Sequence, residues 1–301
     1  MEMLEFKQIT LNDLPVIKSF LYNQTYRTCD FTIGGIYMWV SYFKYEYAIY
    51  KDTLFIKGVS EDNLSKVAFS LPLGALSLAD SLEVLHTYCK YHHLPFLLSA
   101  VPEAMLEQIP LPHVSKPLED WFDYVYDIED LAELKGKKYS KKRNHVNSFR
   151  ASYPDYSYER IDESNLSDVL DFYQEFCRLN EKGGAIFNQE LSMTCDILKH
   201  YFYMGFVGAC MRVEGKVVAF TMGEIIEDVL YVHIEKADRN LNGLYEMINM
   251  SFSKDMKETY PSLAYINREE DAGDPGLRKA KESYHPVMLL NKYNVLINDY
   301  D

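Results

Sequence analysis

The chain has 301 residues, of which 48% are hydrophobic and 25% are charged, and its formal net charge is −14. This length accommodates two domains, and the composition is that of a folded globular protein. The negative charge argues against general binding to DNA, and no apolar run is long enough to span a bilayer. The first five residues lack the basic and apolar regions of a signal peptide, so we expect a cytoplasmic protein.

The five cysteines are widely spaced and include no C-x-x-C pair. Neither a disulfide framework nor a zinc site is therefore expected, and buried, reduced thiols are the simpler interpretation. The adjacent His92 and His93 have no third ligand nearby in the sequence, so we predict no metal site.

Residues 1–127 are predicted to form one α+β domain. Apolar residues recur at helical spacing in several segments, and short apolar runs bounded by turn residues indicate strands. The predicted elements are, in order, a helix over Pro15–Leu21, a short helix over Ile36–Tyr42, strands at Tyr47–Tyr50 and Thr53–Lys57 joined by a turn at Lys51-Asp52, a helix over Leu78–Tyr91, a strand at Phe96–Ser99, a helix over Pro102–Ile109, and a strand at Tyr124–Asp127.

A basic segment follows this domain. Between residues 135 and 150 there are seven formal cations and no acid. We treat residues 128–152 as a basic connector helix, for which two interpretations stay open. In the first, Lys141, Arg143 and their neighbours bind a polyanionic donor, either the phosphates of coenzyme A or a tRNA acceptor stem. In the second, the cations are solvated or pair with acids of the two domains.

Residues 153–301 are predicted to form the second domain. Its clearest signal is a hairpin in which Glu214-Gly215-Lys216 forms the turn between two strands rich in β-branched residues. The predicted elements are, in order, a strand at Tyr156–Ile161, helices over Asn165–Asn180 and Leu191–Phe202, strands at Phe206–Val213, Val217–Ile226 and Val229–Ile234, a helix over Leu244–Lys257, a strand ending at Tyr265-Ile266, and strands at Val287–Leu290 and Tyr293–Ile297 that close the sheet.

A dense polar stretch precedes the last strands. Asp274-Pro275 predicts a helix start, with aspartate as N-cap and proline at the first helical position. Arg278 and Lys281 share one face of that helix, and its free N–H groups suit a phosphate or carboxylate. The alternative is a well-capped surface helix in which Glu282 pairs with Arg278, and both interpretations stay open.

Three motifs carry a family resemblance. Residues 267–286 follow the pattern N-R-E-x-D-x-G-x-x-G-L-R-x-x-K-x-x-Y-x-P, Phe122–Asp127 is an aromatic strand before the basic block Gly136–Asn144, and His233–Ala237 ends a strand between the two. Together these motifs resemble an uncharacterised bacterial family grouped with the C-terminal domain of phosphatidylglycerol lysyltransferases. The resemblance covers about the last three fifths of the chain.

That resemblance implies an α+β fold of two GNAT-like domains in tandem, each a mixed, mostly antiparallel sheet flanked by helices, as in the related Fem aminoacyltransferases. It also implies transfer of an acyl or aminoacyl group from a thioester or an aminoacyl-tRNA to an amine or hydroxyl. In a GNAT fold the loop after the central strand binds the donor's pyrophosphate with backbone N–H groups. Here only Arg239 and Gly243 match that signature.

Such a reaction needs a proton acceptor and a site for the donor's charged groups. Glu235, at the exit of the central strand, is the first candidate base, and Glu269 and Asp271 are alternatives. The residues assigned to substrate or donor binding are Asn267, Arg268, Arg278, Lys281, Lys141 and Arg143. For each acid a solvated or salt-bridged carboxylate is the alternative, and His233 is either a base or a hydrogen-bonded core histidine.

Two hypotheses for the function follow. The first is an acyl- or aminoacyltransferase that uses a coenzyme A thioester or an aminoacyl-tRNA as donor, and the dense polar motif of residues 267–281 favours it. The second is a binding or regulatory protein that retains the fold without the chemistry, and the weak pyrophosphate loop favours it. The sequence contains no Walker loop, H-E-x-x-H or G-x-S-x-G motif, so those reaction classes lose support.

Overall fold

The computed structural model describes residues 4–22, 25–179 and 184–298. Residues 1–3, on which the signal-peptide interpretation partly rests, and Asn180, the predicted end of a helix, lie outside the described residues. Two compact units are present. The first comprises residues 1–123, 270–274 and 289–301, and the second comprises residues 124–269 and 275–288.

The regular elements are numbered here in chain order. The strands are β1 Lys7–Gln8, β2 Glu46–Tyr50, β3 Thr53–Ser60, β4 Asn63–Phe69, β5 Leu73–Gly74, β6 Leu97–Pro102, β7 His113–Pro117, β8 Asp123–Asp127, β9 Ser157–Arg160, β10 Val207–Val213, β11 Lys216–Ile226, β12 Val229–Ala237, β13 Tyr265–Asn267, β14 Met288–Leu290 and β15 Lys292–Ile297. The helices are α1 Leu14–Leu21, α2 Ile33–Trp39, α3 Leu78–His92, α4 Ile128–Glu133, α5 Ser140–Ser152, α6 Leu166–Leu179, α7 Ala185–Lys199, α8 Tyr201–Met204, α9 Leu244–Thr259 and α10 Pro275–Glu282. Short 3-10 helices lie at Leu11–Asp13, Cys29–Phe31, Glu103–Gln108, Glu119–Trp121 and Lys137–Tyr139.

The first unit is built on a sheet with strand order β1-β2-β3-β4-β6-β15-β7, and β5 pairs with β3. The β2–β3 hairpin turns at Lys51 and Asp52, which both adopt the left-handed conformation, with φ of 47° and 51°. Such a two-residue turn matches the twist of the flanking strands. The helix α3 begins after Ser77, whose hydroxyl accepts a hydrogen bond from the Asp80 amide.

The second unit contains a sheet with strand order β14-β8-β13-β12-β11-β10-β9. Its central pair, β12 and β13, is parallel, whereas β11 is antiparallel to both β10 and β12. The β10–β11 hairpin turns at Glu214 and Gly215, with φ of 52° and 76°, as the turn residues predicted.

Helices cover both faces of this second sheet. The ring of Phe220 on β11 packs against Phe172 and Tyr173 of α6. Its neighbour Ala219 belongs to a core that includes Leu244 of α9. Successive residues of a strand point to opposite faces, so α6 and α9 lie on opposite sides of the sheet. The helices α4 and α5 pack on α9.

The structure corrects several predicted elements. The prediction that the last strand closes the second sheet is wrong, because β15 lies between β6 and β7 in the first sheet. Sequence periodicity identifies a strand but does not say with which strand it pairs. The helix predicted over residues 102–109 is a 3-10 helix after β6, and the strands β4 and β7 were not predicted.

The basic segment also differs from the single connector helix that was predicted. Residues 128–152 contain α4, a 3-10 turn and α5, all within the second unit. The break between α4 and α5 occurs where Leu134 and Gly136 take positive φ values of 50° and 84°, which an α-helix cannot accommodate. Among the described residues no helix is both long and apolar enough to cross a membrane.

Candidate functional site

The second unit has an opening between two parallel strands. The pairing of β12 with β13 ends at Tyr231 and Asn267, while β12 continues to Ala237. Beyond these residues the two chains no longer form a ladder. We call this gap the strand opening. Four of the predicted site residues lie on β12, at the end of β13 or directly after it: Glu235, Asn267, Arg268 and Glu269. A fifth, Lys281 of α10, reaches this segment through its side chain.

A β-bulge re-aims the side chains beside the strand opening. Met222 pairs with Ile234 and Gly223 pairs with Val232, so His233 is an extra residue in β12. A bulge changes which face the following residues occupy. Val232 and Ala237 accordingly both lie in the core beneath α9, although their spacing in a regular strand would place them on opposite faces.

The bulge depends on a glycine in the neighbouring strand. A β-carbon built on Gly223 would lie 1.8 Å from the carbonyl oxygen of Tyr231. Only glycine fits at such a close backbone approach. The position of His233 is therefore encoded partly by Gly223.

The first polar group at the opening is the histidine cluster, formed by Glu224, His233 and Glu269. The Nε2 atom of His233 lies 3.0 Å from Glu224 Oε1, and its Nδ1 atom lies 2.6 Å from Glu269 Oε1. Burial alone would lower the pKa of His233, but its hydrogen bonds to the two carboxylates outweigh this effect and raise the pKa to about 10. The ring is therefore a buried imidazolium at neutral pH.

The second polar group is the arginine cluster, formed by Glu235, Asn249 and Arg268. Arg268 Nη2 donates to Glu235 Oε1 at 2.9 Å, and Asn249 Nδ2 of α9 donates to Glu235 Oε2 at 3.1 Å. The Arg268 guanidinium lies 5.8 Å and 4.9 Å from the ring centres of Tyr126 and Tyr284. Its Nη1 atom is buried and hydrogen-bonds to none of the described residues.

The turn after β13 directs Arg268 and Glu269 to different clusters. The Asn267 side chain accepts a hydrogen bond from the Glu269 amide at 2.7 Å, and Glu269 takes a φ of 60°. That conformation is uncommon for a residue with a β-carbon and persists only where its surroundings hold it. The buried Lys281 ammonium provides such support, because it donates to the carbonyl oxygens of Arg268 and Glu269.

Comparison with known proteins identifies the family. Residues 24–296 match the family model described as "Phosphatidylglycerol lysyltransferase, C-terminal". The chain belongs to this family. It is also similar to an uncharacterised protein from Mycoplasmoides gallisepticum, with 22% identity over 176 residues. That alignment covers 58% of this chain and 56% of the relative, so it spans about half of the relative's length.

Solved structures show how widely the fold of this family extends. A conserved protein of unknown function from Bacteroides thetaiotaomicron is 35% identical with a TM-score of 0.87, covering 98% of this chain and 100% of that one. The C-terminal domain of a putative lysylphosphatidylglycerol synthetase from Agrobacterium fabrum is 13% identical with a TM-score of 0.66, covering 96% and 92%. FemX is 9% identical with a TM-score of 0.60, covering 98% of both chains. These likenesses confirm the predicted α+β fold of tandem GNAT-like domains.

The other predicted site residues are not members of the two clusters. Asp271 belongs to the first unit, where it is buried and accepts a hydrogen bond from the Gly273 amide at 2.9 Å. Arg278 is half-buried on α10. Arg143 Nη1 donates to the carbonyl oxygens of Leu134 and Gly136, so this guanidinium stabilises the break between α4 and α5.

Several cations of the basic segment form ion pairs with acids of the second unit. Lys138 pairs with Asp130 at 2.8 Å, and Lys142 lies 3.3 Å from Glu246. Burial lowers the pKa of Lys142, an effect that Glu246 opposes. In the described part of the chain four cations of the segment have no ion-pair partner: Lys137, Lys141, Arg150 and Arg143, of which Arg143 is bound to backbone carbonyls instead. The second interpretation, pairing with acids of the protein, therefore holds for Lys135, Lys138 and Lys142, and donor binding by the others stays a prediction.

The expected pyrophosphate loop is covered on one side by α5. Gly243 caps the start of α9 with a φ of 82°, and a β-carbon at this position would lie 2.1 Å from the carbonyl oxygen of His145 on α5. The backbone of α5 therefore packs directly against the loop. Arg239, the other residue of the signature, is exposed.

Sequence reasoning missed the partners that hold these clusters. Glu224 is an acid within the long apolar strand β11 and is 2% exposed, and an acid in such a strand signals a buried partner. Asn249 on the apolar face of α9 is a weaker indication of a buried hydrogen-bond partner. The bulge at His233 has one weak signal, Gly223 inside the apolar strand β11, because a glycine within a strand often marks a bulge or a close backbone approach.

Proposed function

We propose that this protein transfers an acyl or aminoacyl group to an amine or hydroxyl, with Glu269 as the group that accepts the acceptor's proton. The family, together with folds such as that of FemX, supports acyl or aminoacyl transfer in general. The observation that carries the assignment of Glu269 is its position at the strand opening, held by His233 through one oxygen.

The two candidate bases differ in how their oxygens are used. Both oxygens of Glu235 accept hydrogen bonds, from Arg268 and from Asn249. Glu269 accepts one from His233 through Oε1, and its Oε2 atom has no hydrogen-bond partner among the described residues. A proton acceptor needs an oxygen that can reach the substrate. We therefore assign this role to Glu269 in preference to Glu235.

His233 acts as a positioning residue in this proposal. With its pKa raised to about 10 it is protonated at neutral pH and donates to Glu224 and Glu269 at once. It therefore orients the Glu269 carboxylate and does not itself remove a proton. The unused Nη1 of Arg268 is available to an oxygen of the donor, where it would stabilise developing negative charge.

The bonds, the electron pair and the proton of the proposed reaction can all be accounted for with these groups. The acceptor's lone pair attacks the donor carbonyl carbon as Glu269 takes the acceptor's proton. The new carbon–nitrogen or carbon–oxygen bond forms, the donor's ester or thioester bond breaks, and the leaving oxygen or sulfur departs with the electron pair. The proton on Glu269 is then passed to that leaving group or to solvent.

Aminoacyl-tRNA is the donor that the geometry supports better. The backbone of α5 closes one side of the turn that would have to bind the pyrophosphate of coenzyme A. Lys137, Lys141 and Arg150 extend from the segment around α5 without ion-pair partners among the described residues, and such cations suit the phosphates of a nucleic acid. A cytoplasmic location stays a prediction.

The donor can be tested with binding and transfer assays on the full chain. We would titrate the protein with charged tRNA, uncharged tRNA and acetyl-coenzyme A, following thermal stability, because a ligand specific to the folded state raises it. We expect saturable binding of charged tRNA and transfer to an amine such as hydroxylamine. Saturable coenzyme A binding without tRNA binding would overturn the donor assignment, and binding of neither would support a non-catalytic protein.

A further inference from the structure

The first unit contains a second polar site, which we call the aromatic pocket. Its wall carries four aromatic residues: Trp39, Phe43, Tyr45 and Trp121. The Phe43 ring centre lies 5.7 Å from that of Trp121 and 5.6 Å from that of Tyr45. Phe43 is buried, whereas both tryptophans are half-buried and form the rim. The pocket therefore has a closed floor and access from outside.

Carboxyl groups line the floor of the pocket beside these rings. Asp30 lies on the wall, and its Oδ2 atom is 2.7 Å from the buried Lys292 ammonium, which also lies 2.6 Å from Asp123 Oδ1. Cys29, Asp30 and Asp123 are close enough together to hold a metal ion. The Lys292 ammonium already occupies the cation position between them, so a metal would have to displace it.

Two further acids line the pocket: Glu270, which accepts a hydrogen bond from Cys29 Sγ at 3.3 Å, and Glu61. Glu61 forms no ion pair with the described residues. It hydrogen-bonds with Ser99. Its enclosed position and the nearby Asp30 raise the pKa of Glu61 to about 7. A carboxylate that is partly withdrawn from water and has no cation is costly, and an incoming cation would reduce that cost.

We propose that the aromatic pocket binds the ammonium group of a primary amine, with Glu61 as its counter-ion and the tryptophan and phenylalanine rings around it. Aromatic faces attract cations, and charge-assisted hydrogen bonds to a carboxylate are strong. The space open to the centre of a water molecule is about 20 Å³, which suits one water-sized group. An ammonium head fits this space, while a trimethylammonium head is too large.

The chain offers its own reporter for this site. It contains two tryptophans in total, Trp39 and Trp121, and both line the pocket. We would titrate the full chain with butylammonium at about pH 8, where the amine is protonated, and follow intrinsic fluorescence. The comparison ligands are 1-butanol, which has no charge, and butyltrimethylammonium, which has a larger head. Saturable binding of butylammonium alone is expected.

Variants of the pocket residues test whether butylammonium binds in the aromatic pocket. Glu61→Gln removes the charge with little change in shape and should weaken butylammonium binding at least ten-fold. The control Glu103→Gln changes an acid of the same unit outside the pocket and should bind as wild type does. Trp39→Phe and Trp121→Phe should each remove part of the fluorescence change while retaining binding, and calorimetry would confirm that retention.

Two results would overturn the inference: equal responses to butylammonium and butanol, or undiminished binding by a folded Glu61→Gln protein. Binding at this pocket does not rest on the proposed transfer reaction. A Glu269→Gln protein should therefore bind butylammonium normally, so a failure of one proposal is distinguishable from a failure of the other.

Discussion

Removing the charge of His233 should reveal how the histidine cluster stabilises the fold. In the His233→Gln protein, Glu224 and Glu269 lose the cation that they share. Breaking a buried ion pair by removing one partner costs about 3 kcal/mol or more. The rise in the pKa of His233 from 6.5 to about 10 corresponds to up to about 5 kcal/mol of stabilisation. We expect the free energy of unfolding at neutral pH to fall by about 3 kcal/mol.

The pH dependence of this stabilisation has a definite sign. Because the pKa of His233 is higher in the folded protein, its contribution is fully present below pH 6.5 and is lost as the pH rises toward about 10. Within that window the wild-type free energy of unfolding should fall by up to about 1.4 kcal/mol per pH unit from this group. The His233→Gln protein lacks this component, so the difference between the two proteins should shrink as the pH increases.

Urea unfolding at several pH values, followed by circular dichroism, measures both quantities. His200→Gln is the matched control, because His200 is a partly exposed histidine of the same unit. The imidazole NMR signals of His233 give its pKa directly. A His233 pKa below 7, or the same pH dependence in wild type and His233→Gln, would refute the assignment of a buried imidazolium.

Three further predictions concern other parts of the molecule. Gly223→Ala places a methyl group 1.8 Å from a carbonyl oxygen of the next strand, so it should lower the free energy of unfolding by about 3 kcal/mol or more. The control Gly184→Ala has open space around the new methyl group. Its free energy of unfolding, measured with urea, should change by less than about 0.5 kcal/mol. Lys292→Met leaves two carboxylates without their ammonium partner, so the free energy of unfolding should fall by about 3–5 kcal/mol. A fall of less than about 1 kcal/mol in urea unfolding would contradict this prediction. Lys141→Glu should weaken binding of charged tRNA and reduce the slope of log affinity against log salt by about 1, while the exposed Lys66→Glu control should leave both unchanged.

Local signals in the sequence predicted much of the second unit. The β10–β11 hairpin follows from its turn residues, and α9 follows from apolar residues at helical spacing. The polar motif after β13 was also identified from the sequence as one of the three motifs that carry the family resemblance. What its spacing did not reveal is the role of each group: Lys281 braces two backbone carbonyls, a use that depends on how α10 packs against the preceding turn.

Features that depend on pairing between distant segments were beyond local reasoning. Lys292 meets Asp30 and Asp123 although about 170 to 260 residues separate it from them in the chain, and only the insertion of β15 into the first sheet brings them together. Likewise, the prediction favoured Glu235 as the base because it leaves the central strand. The bulge at His233 changes the direction of that side chain, and Arg268 and Asn249 then take both of its oxygens.

The most direct test of the proposed reaction is the rate of transfer from charged tRNA by the Glu269→Gln protein under saturating donor. Glutamine retains the shape of the side chain and can still accept the hydrogen bond of His233, but it cannot take a proton. We predict a fall in kcat of about 100-fold, with unchanged tRNA affinity and with wild-type rates in the Glu258→Gln control, an exposed acid at the end of α9. Transfer by Glu269→Gln at the wild-type rate would contradict the assignment of Glu269 as the proton acceptor.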